Sequence, residues 1–271
     1  MSLVAAWLSA RVLANNIDLK ACAARGIPVC NVPHYGTREV ADHTISLLLT
    51  LVRGTLAYNE RLRADPRKGW RFEGVAPVRR IWGSVLGIAG LGRIGTAVAE
   101  RAAAFGMKII HFGGRPHADF ERVHSFEELL ARSDALSLHL PLMEATKGLI
   151  DARAISTMKP GAILINTARG PLVDTVAVYE GLRSGRLAAV GLDVLPTEPP
   201  DLTDPLIVAW TAGEEWIRDK LVITPHAAFF SSAGFCDLRR SSMDIALSFL
   251  CNGELHHCVN ERELNSLPKR Q

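Results

Sequence analysis

Four segments of this chain carry residues whose types and spacing could do chemistry. In VLGIAGLGRIGTAVAERAAAFGMKIIHF, Gly90, Gly92 and Gly95 form a GxGxxG that follows a β-type run and opens a helix. The first glycine permits a tight turn, the second lets the backbone approach a pyrophosphate, and the third lets the helix close on the strand. The helix N-terminus then turns free N–H groups and a positive dipole end toward the phosphates. A glycine turn alone would say little, but strand, motif, helix and second strand in that order point to a bound dinucleotide. Three further segments set polar side chains where parallel strands should end: INTARGPLVD with Arg169, GLDVLPTEPP with Glu198 and VITPHAAF with His226. They lie 29 residues (169 to 198) and 28 residues (198 to 226) apart, one strand-and-helix unit or connection each, so the three can converge at the carboxyl edge of a sheet. Taken singly, Arg169 could cap a strand end, Glu198 could be solvated beside its prolines, and His226 could be a structural loop residue.

The strand after a GxGxxG ordinarily ends in an acid, about 20 residues beyond the motif, that binds the adenosine ribose. Here Gly113 holds that place, followed by Gly114 and Arg115. A small residue followed by a guanidinium leaves room for a 2′-phosphate and a fork to bind it, which favours NADP over NAD. Asp119 keeps NAD open, and Arg115 has a plain alternative as a solvated loop residue.

The elements needed to position these groups are legible. From Ile81 onward, short apolar runs at 85–89, 108–112, 135–140, 162–166, 188–193 and 221–224 alternate with helix-length segments at 96–105, 125–132, 151–158 and 175–184. Six strands with their crossovers predict a doubly wound parallel sheet of the Rossmann type. Upstream, 37–56 reads as a helix that Thr37 can cap, with Val40, Thr44, Leu47, Leu48 and Leu51 on one face. Leu49 and Val52 would then need cover, either from a partner subunit or from a second lobe of the same chain. The stretch 61–80, rich in Arg, Gly and Pro, reads as a connector.

Composition narrows the class. A chain of 271 residues with 48% hydrophobic residues can build a packed core of about two domains. A net charge of +3 is too slight to call for nucleic acid. The longest early apolar run, near 47–52, is far short of the roughly 20 residues of a membrane span, and nothing near the start marks export, so the cytoplasm is the default expectation. Five cysteines without a CxxC argue against a disulfide framework or a zinc ribbon and for reduced thiols. His256, His257 and Cys258 invite a metal reading, but neighbours on a strand face opposite ways, and no metal site is expected.

Taken together, GIPVCNVP, the EVADH helix start, GLGRIG, LHLPL, MKPGAILINTARG, GLDV followed by EPP, and TPHAA resemble, in order and over 17–260, the D-2-hydroxyacid dehydrogenase family. VCNVP and PHAAF are most similar to its branch of glyoxylate and hydroxypyruvate reductases and C-terminal-binding-protein corepressors. The resemblance implies a dinucleotide-binding domain over 37–230 and a smaller, flavodoxin-like substrate lobe from 1–36 with 231–271. It implies His226 as the proton donor to a developing alkoxide, Glu198 as the carboxylate that orients and stabilises its protonated ring, and Arg169 as the clamp on substrate carboxylate and keto oxygen. It places cofactor contacts at Gly90, Leu91, Gly92, Arg93, Ile94, Gly95, Arg115, His139, Pro141, Thr167, Ala168, Asp193 and Ala228, and at Thr37 on the pyrophosphate, with Asp193 on the nicotinamide carboxamide.

The sequence also departs from the family. Only 89 residues precede Gly90, so the substrate lobe reads as truncated, and residues 1–3 could be foreign to it. RVLANNID puts Leu13, Ala14 and Asn15 where a GVGxDNID-like loop would present N–H groups to a substrate carboxylate. IVAWTAGEEWIRDK is longer than the usual connection, and its Trp210 and Trp216 could pack over a site entrance or serve an interface. The expectation is an NAD(P)-dependent reductase of small 2-keto acids, acting as a homodimer. Two alternatives stand beside it: a nucleotide-dependent dimeric corepressor-like module, and a family member without a competent substrate site.

Overall fold

The computed structural model describes residues 7–9, 17–33, 35–75 and 77–265. Leu13, Ala14 and Asn15, and residues 1–3, lie outside them. In chain order the elements are β1 (Trp7–Ser9), α1 (Leu19–Ala24), β2 (Val29–Asn31), α2 (Thr37–Arg53), α3 (Thr55–Ala64), β3 (Val85–Leu91), α4 (Arg93–Ala104), β4 (Lys108–Gly114) and β5 (Glu121–Arg122). There follow α5 (Phe126–Arg132), β6 (Ala135–Leu138), α6 (Ala152–Thr157), β7 (Ala162–Asn166), α7 (Thr175–Arg183), β8 (Leu187–Leu192), α8 (Pro205–Thr211), α9 (Glu215–Arg218), β9 (Leu221–Ile223), α10 (Ser232–Asn252) and α11 (Glu261–Asn265). The chain divides into two compact units, Met1–Glu39 with Phe229–Gln271, and Val40–Ala228.

The larger unit holds one parallel sheet in the order β5-β4-β3-β6-β7-β8-β9. Its inner strands are largely apolar on both faces because helices cover both. Along β7 the side chains alternate between two cores: Ala162 and Leu164 join Leu129, Leu136, Ile155 and Leu182, while Ile163 and Ile165 join Leu47, Leu48, Leu86 and Val98. Short polar side chains start the crossover helices. Ser125 accepts from the Glu128 N–H, Asp151 from Ala154, Asp174 from Val176 and Ala177, and Asp204 from Leu206.

Several sequence expectations need correction. The sheet has seven strands rather than six, because β5 is two exposed edge residues that no apolar run could announce. The long helix ends at Arg53, where Gly54 takes φ +61, and α3 continues to Ala64, so the start of the supposed connector is helical. Thr37 is the first residue of α2 rather than its cap. Val52 needs no outside cover: it is buried with Leu47, Leu48 and Leu51 in the core of the larger unit, and Leu49 is half-buried. The long insertion forms α8 and α9, and Trp216 lies edge-on to Tyr179 of α7.

The smaller unit pairs β1 with β2 in parallel. Cys30, Val32, Leu238 and Ile245 form its core, with Tyr35, Phe235 and Cys258 packed around them. Ser231 caps α10 through the Gly234 N–H and also donates to Glu39. Among the described residues no helix is long and apolar enough to cross a membrane.

Candidate active site

The strand order reverses between β3 and β6, so the loops leaving their carboxyl ends diverge around a crevice, where open α/β sheets hold ligands. Gly90, next to last in the first of these strands, has φ +95, and a Cβ there would lie 2.8 Å from the His139 carbonyl oxygen. Only glycine tolerates both conditions. A Cβ on Gly95 would lie 2.2 Å from the Gly90 carbonyl oxygen, so the third glycine is what lets α4 close on the turn. Leu91 is buried and accepts at its carbonyl from the Arg115 N–H (3.3 Å), which brings the exposed Arg115 beside the glycine turn. Gly92 and Arg93 are exposed, and Ile94 is half-buried.

This cradle suits a dinucleotide. Gly92 caps α4 without any side-chain hydrogen bond, and nothing lies within 4 Å of the place its Cβ would take, so its backbone is open to close approach by a ligand. His139 follows β6, with its N–H on the Ala89 carbonyl (2.8 Å) and Nε2 against Ser137 Oγ (2.8 Å). Its Nδ1 is buried without a hydrogen-bond partner, an orphan that a ligand can satisfy. Burial pushes this imidazole down to about 3, so the ring is neutral at ordinary pH. Pro141, exposed, accepts from Thr146 Oγ1 (2.8 Å), which shapes the loop after His139.

On the other side of the switch point, Asp193 follows β8 with 1% of its surface exposed. Its carboxylate accepts from Thr224 Oγ1 (2.6 Å) and from the Ala227 and Ala228 N–H groups (2.9 Å each). Its carbonyl accepts the His226 N–H at 2.7 Å. These bonds explain how His226 is held at φ 53, a left-handed conformation that a side-chain-bearing residue adopts at a cost of about 1–2 kcal/mol. The same loop carries Ala228, which is buried. Held this way, His226 Nδ1 meets Glu198 Oε2 at 2.7 Å, while Glu198 Oε1 accepts the Leu195 N–H at 3.1 Å. Two of the three polar residues singled out in the sequence are therefore in direct contact, from loops 28 residues apart.

Arg169 sits in the loop after β7. Asn166, fully buried at the end of that strand, donates to the Arg169 carbonyl (2.9 Å) and accepts from the Ala168 N–H (3.0 Å). Thr167 is buried, with its hydroxyl 2.8 Å from that of Thr44. The loop backs closely onto the Glu198 loop: a Cβ on Gly170 would lie 1.9 Å from the Leu195 carbonyl oxygen. Arg169 Nη1 donates to the Ala168 carbonyl (2.6 Å). Thr37 opens α2 and belongs to the smaller unit.

Sequence reasoning missed the brackets behind these residues. Asn166, Thr224, Thr44 and His43 fix the loops, with His43 Nε2 3.0 Å from Thr224 Oγ1 and 3.6 Å from Asp193 Oδ1. One signal was available: an amide closing the apolar run AILIN must find partners if the strand is buried. Among the described residues no group of three or more His, Cys, Asp or Glu side chains could hold a metal.

Comparison with known proteins agrees with this architecture. Residues 45–228 match the family model described as D-isomer specific 2-hydroxyacid dehydrogenase, NAD binding domain. The chain is 38% identical over 232 residues to a putative 2-hydroxyacid dehydrogenase of Haemophilus influenzae, covering 83% of this chain and 70% of that protein. It is 34% identical over 271 residues to C-terminal-binding protein 1 of Caenorhabditis elegans, covering 94% of this chain but 36% of that much longer protein. The crystal structure of D-lactate dehydrogenase from Aquifex aeolicus, complexed with NAD and lactic acid, superposes with a TM-score of 0.79 at 31% identity, covering 90% of this chain and 75% of that one. With its nucleotide cradle, its Asp193-braced loop and these similarities, the chain belongs to the D-isomer-specific 2-hydroxyacid dehydrogenase family of NAD-dependent oxidoreductases.

Proposed function

We propose that this chain interconverts a small 2-keto acid, such as glyoxylate or hydroxypyruvate, and the corresponding D-2-hydroxy acid, with NADPH preferred to NADH. The observation that carries the reading is the 2.7 Å contact between His226 Nδ1 and Glu198 at the carboxyl edge of the sheet. An ionised carboxylate only accepts, so Nδ1 keeps a proton and Nε2 is the nitrogen that exchanges one with substrate oxygen. In the reducing direction His226 donates that proton as the alkoxide develops, and Glu198 stabilises the ring while it is cationic. Arg169 pairs with the substrate carboxylate and polarises the keto group. The nicotinamide, when bound, supplies or accepts the hydride. Asp193 holds the carboxamide side of the site through the same buried network that fixes the His226 loop. Gly90, Gly92, Gly95 and the first turn of α4 hold the pyrophosphate, and Arg115 reads the 2′-phosphate.

Homodimerisation belongs to the same proposal. α2 and α4 border an open concavity of about 530 Å³ lined in part by Ile45, Leu49, Arg53, Arg101 and Phe105, a surface suited to a second copy. The five thiols suit a reducing compartment such as the cytoplasm.

The deciding experiment follows nicotinamide absorbance with NADH and NADPH across a panel of 2-keto acids, for wild type and His226→Ala. Substrate-dependent oxidation that the variant loses, with nucleotide affinity retained, is the expected outcome. Nucleotide binding without any turnover would replace the enzyme reading with a nucleotide-dependent binding module, and sedimentation with and without nucleotide would test that module directly.

A further inference from the structure

We propose that Cys30 and Cys258 form a reversible disulfide, making this pair a thiol-oxidation site in the smaller unit. Cys30 is the central residue of β2, and Cys258 stands opposite it across an isolated antiparallel bridge. The backbone bonds flank the pair: the Asn31 N–H donates to the His257 carbonyl (3.1 Å) and the Val259 N–H to the Val29 carbonyl (2.8 Å). That is the pattern of a non-hydrogen-bonded antiparallel pair, in which the Cα atoms approach to about 4.5 Å and the side chains crowd together. A disulfide spans Cα separations of about 4.4–6.8 Å, so the backbone already lies within its reach.

The approach is fixed from behind. Asn260 is fully buried; its Oδ1 accepts from the Val29 N–H (2.9 Å) and from Cys258 Sγ (3.3 Å), and its Nδ2 donates to the Ile27 carbonyl (3.0 Å). A single amide thus ties the segment bearing Cys258 to the strand bearing Cys30. Cys236 and Cys251 lack this geometry: they are exposed on one helix, 15 residues and so about 22 Å apart along its axis.

The two sulfurs have different tasks. Cys30 is 2% exposed, and burial first, with the nearby Cys258 adding to it, pushes its thiol up to about 11. It is a poor first nucleophile. Cys258 is half-buried and meets the oxidant first. With a low-molecular-weight disulfide such as glutathione disulfide, the Cys258 thiolate attacks one sulfur and releases one thiol, leaving a mixed disulfide. Cys30 then loses its proton to solvent and attacks Cys258 Sγ, releasing the second thiol. Two protein thiols are oxidised and one small disulfide is reduced to two thiols. The bond joins chain positions on either side of Val40–Ala228, stapling the smaller unit where its two sequence-distant segments meet.

The test uses the full chain carrying Cys236→Ser and Cys251→Ser, incubated with glutathione disulfide, then denatured for thiol titration and digested for mass spectrometry. The thiol count is expected to fall from three (Cys22, Cys30, Cys258) to one, with a peptide pair joining Cys30 to Cys258 that dithiothreitol separates. Adding Cys258→Ser or Cys30→Ser should each abolish that pair, the half-buried Cys258 variant guarding against misfolding from the buried position. A count that stays at three, a reaction that stops as a glutathione adduct on Cys258, or a link to Cys22 would each overturn the proposal.

Discussion

Removing the Asp193 carboxylate should cost the fold several kcal/mol, an amount that follows from the bonds it makes. The carboxylate is 1% exposed and satisfies Thr224 Oγ1, the Ala227 N–H and the buried Ala228 N–H. In Asp193→Ala the Thr224 hydroxyl keeps His43 at 3.0 Å, so the loss falls on two backbone donors. Charge-assisted bonds are worth about 1.5–3 kcal/mol each and an orphaned buried donor costs about 1–3 kcal/mol, so the change should destabilise by about 3–5 kcal/mol. Asp193→Asn keeps the Oδ1 acceptor for Thr224 and Ala227 but turns an amide NH2 on the Ala228 N–H, a loss of about 1–3 kcal/mol. Equilibrium urea unfolding followed by far-ultraviolet circular dichroism reads both. With a slope of about 2 kcal/mol/M, the alanine variant's midpoint should fall by about 1.5–2.5 M and the asparagine variant's by about half that. An alanine variant within about 0.5 kcal/mol of wild type at unchanged slope, or two variants of equal stability, would refute the view that this carboxylate braces the His226 loop.

Other changes probe other parts of the molecule. Gly170→Ala puts a methyl 1.9 Å from the Leu195 carbonyl oxygen, forcing the Arg169 and Glu198 loops apart; turnover should drop by about 100-fold while nucleotide affinity changes little, and wild-type kcat/KM would argue against their coupling. Arg115→Ala should weaken NADPH by about 10-fold or more, as expected for a lost charge-assisted contact, and leave NADH nearly unchanged; equal losses in fluorescence titrations would mean that Arg115 does not read the 2′-phosphate. Burial opposes ionisation of Asp134, but the Val85 N–H, Lys159 and Arg79 outweigh it and hold the carboxyl below the usual aspartate range. Its contribution is therefore complete above about pH 4, where the unfolded chain is also ionised, and is lost as pH falls through the folded value. Asp134→Asn should flatten that part of the acid limb of stability against pH, and an unchanged limb would contradict the assignment.

Much of the larger unit can be read from the chain. The apolar runs around Ile88, Ile110, Leu136, Ile163 and Val190 become buried parallel strands because their residues are apolar on both faces, and Ser125, Asp151 and Asp174 start helices because their side chains reach the next turn. β5 was hidden because two exposed residues carry no periodicity, and the break at Gly54 because a glycine in a helical pattern can be either tolerated or terminal.

The amino-acid sequence by itself determined the local terms: where strands and helices run, where a glycine must stand at Gly90, and which polar residues end up at strand termini. Only the tertiary structure decided which of those residues meet. The Asp193 carboxylate clasping Thr224, Ala227 and Ala228, Asn166 gripping the Arg169 loop, and Cys30 facing Cys258 join residues through short hydrogen bonds or a strand pairing rather than through any spacing along the chain. Periodicity reports which face a residue occupies, because it reflects water on one side and core on the other. It holds no record of partners brought together from opposite ends of the chain, since their approach depends on how whole layers pack.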